Sequence, residues 1–323
     1  MSERPFPLRA ATRSPVTRDC EPMPTNAPTN ADPADATEAA IPLVAGIADI
    51  AAGTDAWLVD IWGVMHNGVA PFAGAVEACR RFRAQGGTVV LVSNAPRPAA
   101  SVAQQLDRIG VSRDSWDAIV SSGDAARGLI GDLGDTPVLH IGPERDLPLF
   151  EGLAVRRVDE ADARAVVCSG LYDDETETPD DYRGLLGRLL DRRLPMICAN
   201  PDIIVERGHK MIYCAGAVAE LYRELGGEVT FYGKPHRPAY QRAFELATAR
   251  RGMKVPRERI LAIGDSVRTD LAGANNFGIG CVFVTRGIHS ADFASLDEID
   301  AATSRQLFGE TKPPFVLMRD LRW

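Results

Sequence analysis

Short apolar runs alternate along most of the chain with segments whose apolar residues recur at helical spacing. The runs at 88–92 and 260–263 are continuous and aliphatic, which is typical of strands that are buried on both faces of a sheet. The run at 57–61 has the same character apart from one carboxylate near its end. Helices are predicted at 74–84 and 238–251. This order of strands and helices predicts a parallel sheet with crossover helices.

A second alternating set of predicted strands and helices interrupts this pattern in the middle of the chain. Its strands are expected at 137–141, 163–168 and 196–199, and its helices at 124–133, 179–192 and 216–225. At about 100 residues, the set is long enough for a separate domain. We therefore predict an α/β fold, with a Rossmann-like parallel-sheet core at 41–117 and 226–323 and an inserted α/β domain at 118–225. The core is expected to resume with a strand at 228–232 and to end with an edge strand at 315–317.

The composition is that of a globular protein, except at the start of the chain. Apolar residues make up 45% and charged residues 25% of the chain, so a sizeable core can be buried. The first 40 residues are rich in Pro, Ala, Thr and Asp without apolar periodicity, which predicts a disordered tail over 1–40. The apolar stretch that follows is interrupted by three aspartates, so it is not expected to span a membrane.

The net charge and the cysteines indicate which partners and which cellular compartment to expect. The net charge of −8 argues against nonspecific nucleic-acid binding, which needs a basic surface. The six cysteines form no Cys-x-x-Cys pair, so they indicate neither a zinc site nor a disulfide framework. We expect buried free thiols, a cytoplasmic location, and no nucleic-acid or membrane partner.

Polar side chains follow four of the predicted apolar strands. Because the carboxyl ends of parallel strands lie along one edge of a sheet, these side chains are expected to converge on one pocket. Each has a structural explanation when taken alone, such as capping the next helix, but a fourfold repetition favours a binding site. The residues are Asp60, Ser93 with Asn94, Lys234, and Asp265 with Asp270.

These residue types suit the chemistry of phosphate esters. Asp60 and Asp265 supply hard oxygen ligands of the kind that bind Mg²⁺ together with a substrate phosphate. A lysine and a serine at a helix start can neutralise a phosphoryl group. A carboxylate can also attack phosphorus and form an aspartyl-phosphate, while Mg²⁺ reduces the repulsion between the two anions.

Four short motifs resemble those of the haloacid dehalogenase-like (HAD) superfamily, and within it the class IIA branch of NagD-like and p-nitrophenyl-phosphatase-like enzymes. The motifs are Asp-Ile-Trp-Gly-Val at 60–64, Leu-Val-Ser-Asn at 91–94, Tyr-Gly-Lys-Pro at 232–235 and Gly-Asp-Ser-Val-Arg-Thr-Asp at 264–270. The resemblance covers the chain from about residue 42 to its end. It implies that the inserted domain is a cap of the C2 type.

The resemblance also implies a role for each matching residue. Asp60 would be the nucleophile, and Ser93 and Lys234 would hold the phosphate. The carboxylates of Asp60 and Asp265 and the backbone carbonyl of Trp62 would bind Mg²⁺. Asn94, Asn200 and Asp202 would contact the substrate. Asp270 would support the metal site. The expected partner is a small phosphorylated metabolite, a sugar or nucleotide phosphate, and the cap would allow a homodimer.

The sequence departs from the family pattern at Trp62. The family's phosphatases usually carry a second aspartate at this position, which protonates the leaving oxygen and later activates water. An indole cannot shuttle a proton at neutral pH. Two candidates remain for the missing group: His66, which is otherwise a solvated loop histidine, and Asp202, which is otherwise a turn residue.

Three hypotheses for function follow from these residues. The first is a Mg²⁺-dependent phosphomonoester hydrolase, which the four motifs favour. The second is a catalytically weak or silent protein that binds phosphate esters. Trp62 is the observation that suggests it. The third is a different reaction at Asp60, such as C–P or C–halogen cleavage, against which the paired metal-binding carboxylates count.

Overall fold

The computed structural model describes residues 41–287, 293 and 301–323, so the tail predicted at 1–40 lies outside the described residues. The core is a seven-stranded sheet in the order β1-β14-β13-β12-β2-β3-β4, and every neighbouring pair is parallel. Its strands are β1 (Leu43–Val44), β2 (Ala56–Val59), β3 (Thr88–Ser93), β4 (Ala118–Ser121), β12 (Ile260–Gly264), β13 (Gly280–Val284) and β14 (Val316–Met318).

Side chains alternate between the two faces along each strand. Because both faces of this sheet are apolar, helices cover both of them. Trp57 and Val59 of β2 pack on one face with α2 and α3, and Leu58 packs on the other with α7 and α8. The indole of Trp57 stacks on the Phe82 ring of α2, with the ring centroids 3.8 Å apart. The helices around the core are α1 (Ala48–Ala51), α2 (Ala73–Ala84), α3 (Ala99–Ile109), α7 (Arg237–Arg251), α8 (Ala272–Phe277) and a last helix over Ala301–Phe308.

The inserted domain has its own parallel sheet, in the order β11-β8-β7-β5-β6. Helices α5 and α6 pack on one face of it and α4 on the other. An antiparallel hairpin, β9–β10, completes the domain. Its elements are α4 (Ser122–Asp132), β5 (Pro137–Ile141), β6 (Arg156–Arg157), β7 (Ala165–Cys168), α5 (Arg183–Asp191), β8 (Met196–Cys198), β9 (Ile204–Arg207), β10 (Lys210–Tyr213), α6 (Ala215–Glu224) and β11 (Val229–Phe231). We call this domain the cap.

Strand pairing corrects both predicted boundaries of the cap. Residues 118–121 form β4, which pairs with β3 in the core sheet, although the cap was predicted to begin at 118. The strand predicted at 228–232 as a core strand is β11, which pairs with β8 in the cap sheet. A short apolar run indicates that a strand is present, but its choice of sheet depends on long-range pairing that the run does not encode.

Two strand details differ from the predictions, and the cysteines and helices of the described part agree with them. The strand predicted at 315–317 is β14, which lies between β13 and β1 rather than at the edge of the sheet. The hairpin β9–β10 was not predicted. Five cysteines in the described part of the chain are buried free thiols, as expected. None of the helices in that part has the length and apolar character needed to cross a membrane.

The stacked pair of Trp57 and Phe82 yields a stability prediction. Phe82 is buried, and Gly87 packs so closely against its ring that an added Cβ would lie 2.5 Å from it. We expect Phe82→Ala to lower the free energy of unfolding by about 3–5 kcal/mol, because the cavity cannot collapse around a stacked indole. Urea unfolding followed by tryptophan fluorescence measures this change.

The matched control is Met253→Ala, which removes a side chain that is 65% exposed. This variant is expected to change the free energy of unfolding by less than about 0.5 kcal/mol. Equal losses in the two variants would show that the ring stack contributes nothing beyond what an exposed side chain contributes.

Candidate active site

Asp60 lies where β2, an inner strand of the core sheet, ends. It follows β2 directly, and its backbone N–H donates a hydrogen bond to the carbonyl of Ile263 in β12, at 2.8 Å. This bond continues the pairing of the two strands by one residue and holds the carboxylate at the carboxyl edge of the sheet. The side chain is largely buried, so Asp60 is not a solvated strand terminus.

Asp265 and Asp270 join Asp60 at the same edge. Asp265 follows β12, and a π-helical turn at Val267–Leu271 brings Asp270 back over Gly264. A Cβ on Gly264 would lie only 2.1 Å from the carboxyl carbon of Asp270, so this approach requires glycine. Ligand oxygens of the three carboxylates lie within 4.8 Å of one another. Such a cluster has the donor type and spacing of a site for a hard divalent cation.

Two glycines enclose Asp265. Gly63 has a φ of +79°, and a Cβ at this position would lie 2.1 Å from Oδ2 of Asp265. A Cβ on Gly287 would lie 1.8 Å from the same oxygen. Gly63 stands out in the sequence as the end of the first strand, whereas no sequence pattern links Gly287 to the site. The carboxylate therefore sits in a backbone cradle that any side chain would fill.

Lys234 supplies the positive charge at the centre of the cluster. Its ammonium forms ion pairs with Oδ1 of Asp60 and with Oδ1 of Asp270, the latter at 2.8 Å. Asn94 holds the lysine backbone from both sides, because its Oδ1 accepts from the Lys234 N–H at 2.7 Å and its Nδ2 donates to the Lys234 carbonyl at 3.2 Å. Gly233, with a φ of +110°, permits this approach.

The cluster opens into a cavity of about 220 Å³ between the core and the cap. Ser93, the last residue of β3, is buried and lines it, and its Oγ accepts a hydrogen bond from the Ala95 N–H at 3.1 Å. The Trp62 side chain forms part of one wall. The cap contributes the opposite wall, with apolar side chains from the start of the hairpin that sequence reasoning missed. The cap residues are Pro201, Asp202, Ile203, Ile204, Val205 and Glu206.

Asp202 is a cap carboxylate that is bonded to the core beside the cavity. Its Oδ1 accepts a hydrogen bond from Nδ2 of Asn94 at 2.8 Å. Its backbone N–H donates to Oδ1 of Asn200 at 3.0 Å. Asn200 itself does not line the 220 Å³ cavity and instead faces a smaller cavity beside it. The structure therefore gives Asn200 a role in holding the loop, and its contact with substrate stays a prediction.

The structure places His66 away from the cavity lining, so its catalytic role stays a prediction from the sequence. The ring is fully buried and does not line the cavity. Its Nδ1 accepts a hydrogen bond from the Gly68 N–H at 2.9 Å, and its edge packs against the Trp62 indole. Burial, with a smaller contribution from Arg97, lowers the pKa of His66 to about 4, so the imidazole is neutral at pH 7. In the polar turn at 65–68, the His66 side chain therefore points into the protein and packs against Trp62.

Burial is the largest influence on the pKa values of Asp60 and Asp202. It raises the pKa of Asp60, a shift that Asp270 reinforces, whereas the ion pair with the Lys234 ammonium favours the anionic form. Burial also raises the pKa of Asp202, again against the influence of Lys234. Burial by itself would lower the pKa of Lys234, but Asp270 and Asp60 outweigh it and hold that pKa well above its usual range. The lysine is therefore a permanent cation.

Comparison with known proteins places this site in a family. The family model for haloacid dehalogenase-like hydrolases matches residues 57–156, and a second HAD-hydrolase-like model matches 231–305. A hydrolase of the haloacid dehalogenase-like family from Brucella suis 1330 has a solved structure that is 46% identical, with a TM-score of 0.78, covering 86% of this chain and 100% of that one.

Two other relatives have similar coverage. Haloacid dehalogenase-like hydrolase domain-containing protein 2 of Mus musculus is 30% identical over 240 residues, which cover 72% of this chain and 85% of that protein. The structure of a glycerol phosphate phosphatase from Mycobacterium tuberculosis in complex with calcium is 25% identical, with a TM-score of 0.55, covering 76% of this chain and 70% of that one. The resemblance inferred from the four motifs is thus confirmed, and the chain belongs to the haloacid dehalogenase-like hydrolase family.

Proposed function

We propose that this protein is a Mg²⁺-dependent phosphomonoester hydrolase that forms an aspartyl-phosphate on Asp60 and acts on a small sugar or nucleotide phosphate. The observation that carries the proposal is the meeting of three buried carboxylates and one buried ammonium at the carboxyl edge of the core sheet. A relative named as a glycerol phosphate phosphatase and solved with calcium supports both the ester chemistry and a divalent cation.

The residues present fit Mg²⁺. Asp60, Asp265 and Asp270 offer carboxylate oxygens, and the backbone carbonyl of Trp62 offers a fourth oxygen whatever its side chain. Three carboxylates outnumber the single Lys234 ammonium, so the cluster favours a further cation. When bound, Mg²⁺ would reduce the repulsion between an anionic nucleophile and an anionic phosphate.

The remaining roles belong to the chain's own side chains. An oxygen of Asp60 attacks phosphorus. The hydrogen bond from its backbone N–H to Ile263 fixes the carboxylate at the end of β2 for this attack. Lys234 and Ser93 bind the phosphoryl oxygens, and Asn94 keeps the lysine in position through its two backbone hydrogen bonds. Preorganised donors of this kind stabilise the charge that develops in the transition state without reorganising.

The cavity limits the size and character of the leaving group. A volume of about 220 Å³ lies below the usual range for drug-sized ligands, so the substrate is small. Ile203, Ile204 and Val205 present an apolar wall opposite the phosphate-binding groups. A homodimer through the cap and a cytoplasmic location stay predictions from the sequence.

The first test is phosphate release from a panel of phosphomonoesters, with Mg²⁺ or with EDTA. We expect release that requires Mg²⁺ and that falls to the protein-free rate in Asp60→Asn, because an amide cannot act as the nucleophile. The control is Asp49→Asn, the same substitution at an exposed residue of α1, which is expected to keep full activity.

Binding of Mg²⁺ and phosphate esters without turnover on any ester of the panel would contradict the proposal. That outcome would favour the second hypothesis, a silent phosphate-ester-binding protein. Release of halide or aldehyde in place of phosphate would favour the third.

The glycine cradle around Asp265 gives a separate prediction about the metal. We expect Gly63→Ala to weaken Mg²⁺ binding about 10- to 100-fold by calorimetry, because the new methyl group displaces the Asp265 carboxylate. Gly86→Ala is the matched control: its φ is +86°, so it carries similar backbone strain, but nothing lies within 4 Å of the added Cβ. Equal Mg²⁺ affinity in the two variants would show that Asp265 does not bind the metal.

A further inference from the structure

The proposed hydrolase lacks a proton donor at the position where its family usually has one. Trp62 occupies that position, and its N–H cannot exchange a proton with a leaving group at neutral pH. His66 is buried outside the cavity. The leaving group of a phosphomonoester departs as an alkoxide unless an acid protonates it, so another group has to supply the proton or the reaction is slow.

Among the residues that the structure describes, two carboxyl groups of the cavity lining lie outside the phosphate and metal cluster, and both belong to the cap: Asp202 and Glu206. Asp202 is joined by Asn94 to the phosphate-binding lysine, because one Asn94 amide bonds both the Asp202 carboxyl and the Lys234 backbone. Glu206 lies further along the hairpin in β9. The hydrogen-bonded link to the reacting centre therefore distinguishes Asp202.

The loop that carries Asp202 is held rigidly. Its backbone N–H is bonded to the side chain of Asn200. Its carbonyl packs against Gly216 at the start of α6, where an added Cβ would lie 2.4 Å from the carbonyl oxygen. A donor in a fixed position suits proton transfer, because efficiency depends on geometry before pKa.

We infer that Asp202 of the cap is the general acid and base that replaces the missing aspartate at position 62. The inference rests on the proposed phosphatase function. Burial raises the pKa of Asp202, which favours the protonated form that a general acid requires. Charged groups that face it from the core are Lys234, which lowers that pKa, and Asp270, which raises it.

The reaction balances with these two carboxyl groups. An oxygen of Asp60 forms a bond to phosphorus as the bond from phosphorus to the leaving oxygen breaks. Asp202 gives its proton to that oxygen, and a neutral alcohol departs. Water then attacks the aspartyl-phosphate and gives a proton to the Asp202 carboxylate, which frees inorganic phosphate and restores both side chains.

The experiment compares the wild type with Asp202→Asn in the full chain, on two esters. Asparagine keeps the oxygen that accepts from Asn94, so the loop contact is retained. With an alkyl phosphate, we expect formation of the phosphoenzyme, detected by mass spectrometry after acid quench, to slow about 10²- to 10⁴-fold. With p-nitrophenyl phosphate, we expect a rapid burst of one equivalent of p-nitrophenolate, because this leaving group needs no proton.

After the burst, turnover of p-nitrophenyl phosphate by Asp202→Asn is expected to be slow, because the base for the second step is missing. The matched control is Asp191→Asn, the same substitution at an exposed residue of the cap, which is expected to match the wild type on both esters. An equal slowing of the burst and of the alkyl reaction would overturn the inference, because a merely structural residue affects both esters alike. No effect on either ester would overturn it as well.

A second measurement needs no variant. If Asp202 protonates the leaving oxygen, the rate of phosphoenzyme formation by the wild type depends weakly on the leaving-group pKa across a series of aryl and alkyl phosphates. A steep dependence would overturn the inference while leaving the hydrolase intact. A wild type that forms no phosphoenzyme with any ester, p-nitrophenyl phosphate included, would instead contradict the proposed function itself.

Discussion

The ion pairs of Lys234 with Asp60 and Asp270 are the contact on which the site depends. Buried carboxylates repel one another, and an unpaired buried charge costs several kcal/mol, so the cluster exists only because an ammonium lies within it. The surrounding backbone is shaped by the same requirement. Glycine occurs where Asp265 and Asp270 approach the chain, and Asn94 fixes the lysine backbone. The residual negative charge is what makes the cluster suitable for a divalent cation.

Under the proposed function, a tryptophan two residues after Asp60 changes how the two domains share the chemistry. In the family pattern, nucleophile and proton donor lie on one strand end, so both are fixed by the core. In the proposed mechanism the nucleophile, Asp60, belongs to the core, and the group that exchanges the proton, Asp202, belongs to the cap. The hydrogen bond from Asn94 to Asp202 joins the two domains across the reacting centre. Any motion of the cap would therefore alter proton transfer as well as access.

Lys234 shows how a correct residue can be inferred from an incorrect element. It was expected at the end of a core strand, but the strand before it, β11, belongs to the cap sheet. The lysine reaches the site because the chain crosses from the cap to the core at Gly233. His66 shows the opposite case, in which a plausible residue type in a polar turn was folded inward and lost its access to the cavity. Proximity in sequence to Asp60 did not predict which way the side chain would face.

The sequence by itself determined the parallel core sheet and placed Asp60, Ser93 and Asp265 at its carboxyl edge, because apolar runs with polar ends are a local pattern. The same pattern named Lys234 and Asp270, although the strand before Lys234 belongs to the cap sheet. Only the tertiary structure decided which sheet each short strand joins, where the cap begins, and that Asp202 lines the cavity while Asn200 and His66 do not. These depend on pairing and packing between residues distant in sequence, such as Val90 with Ala118 or Asn94 with Asp202, and no local pattern encodes such contacts.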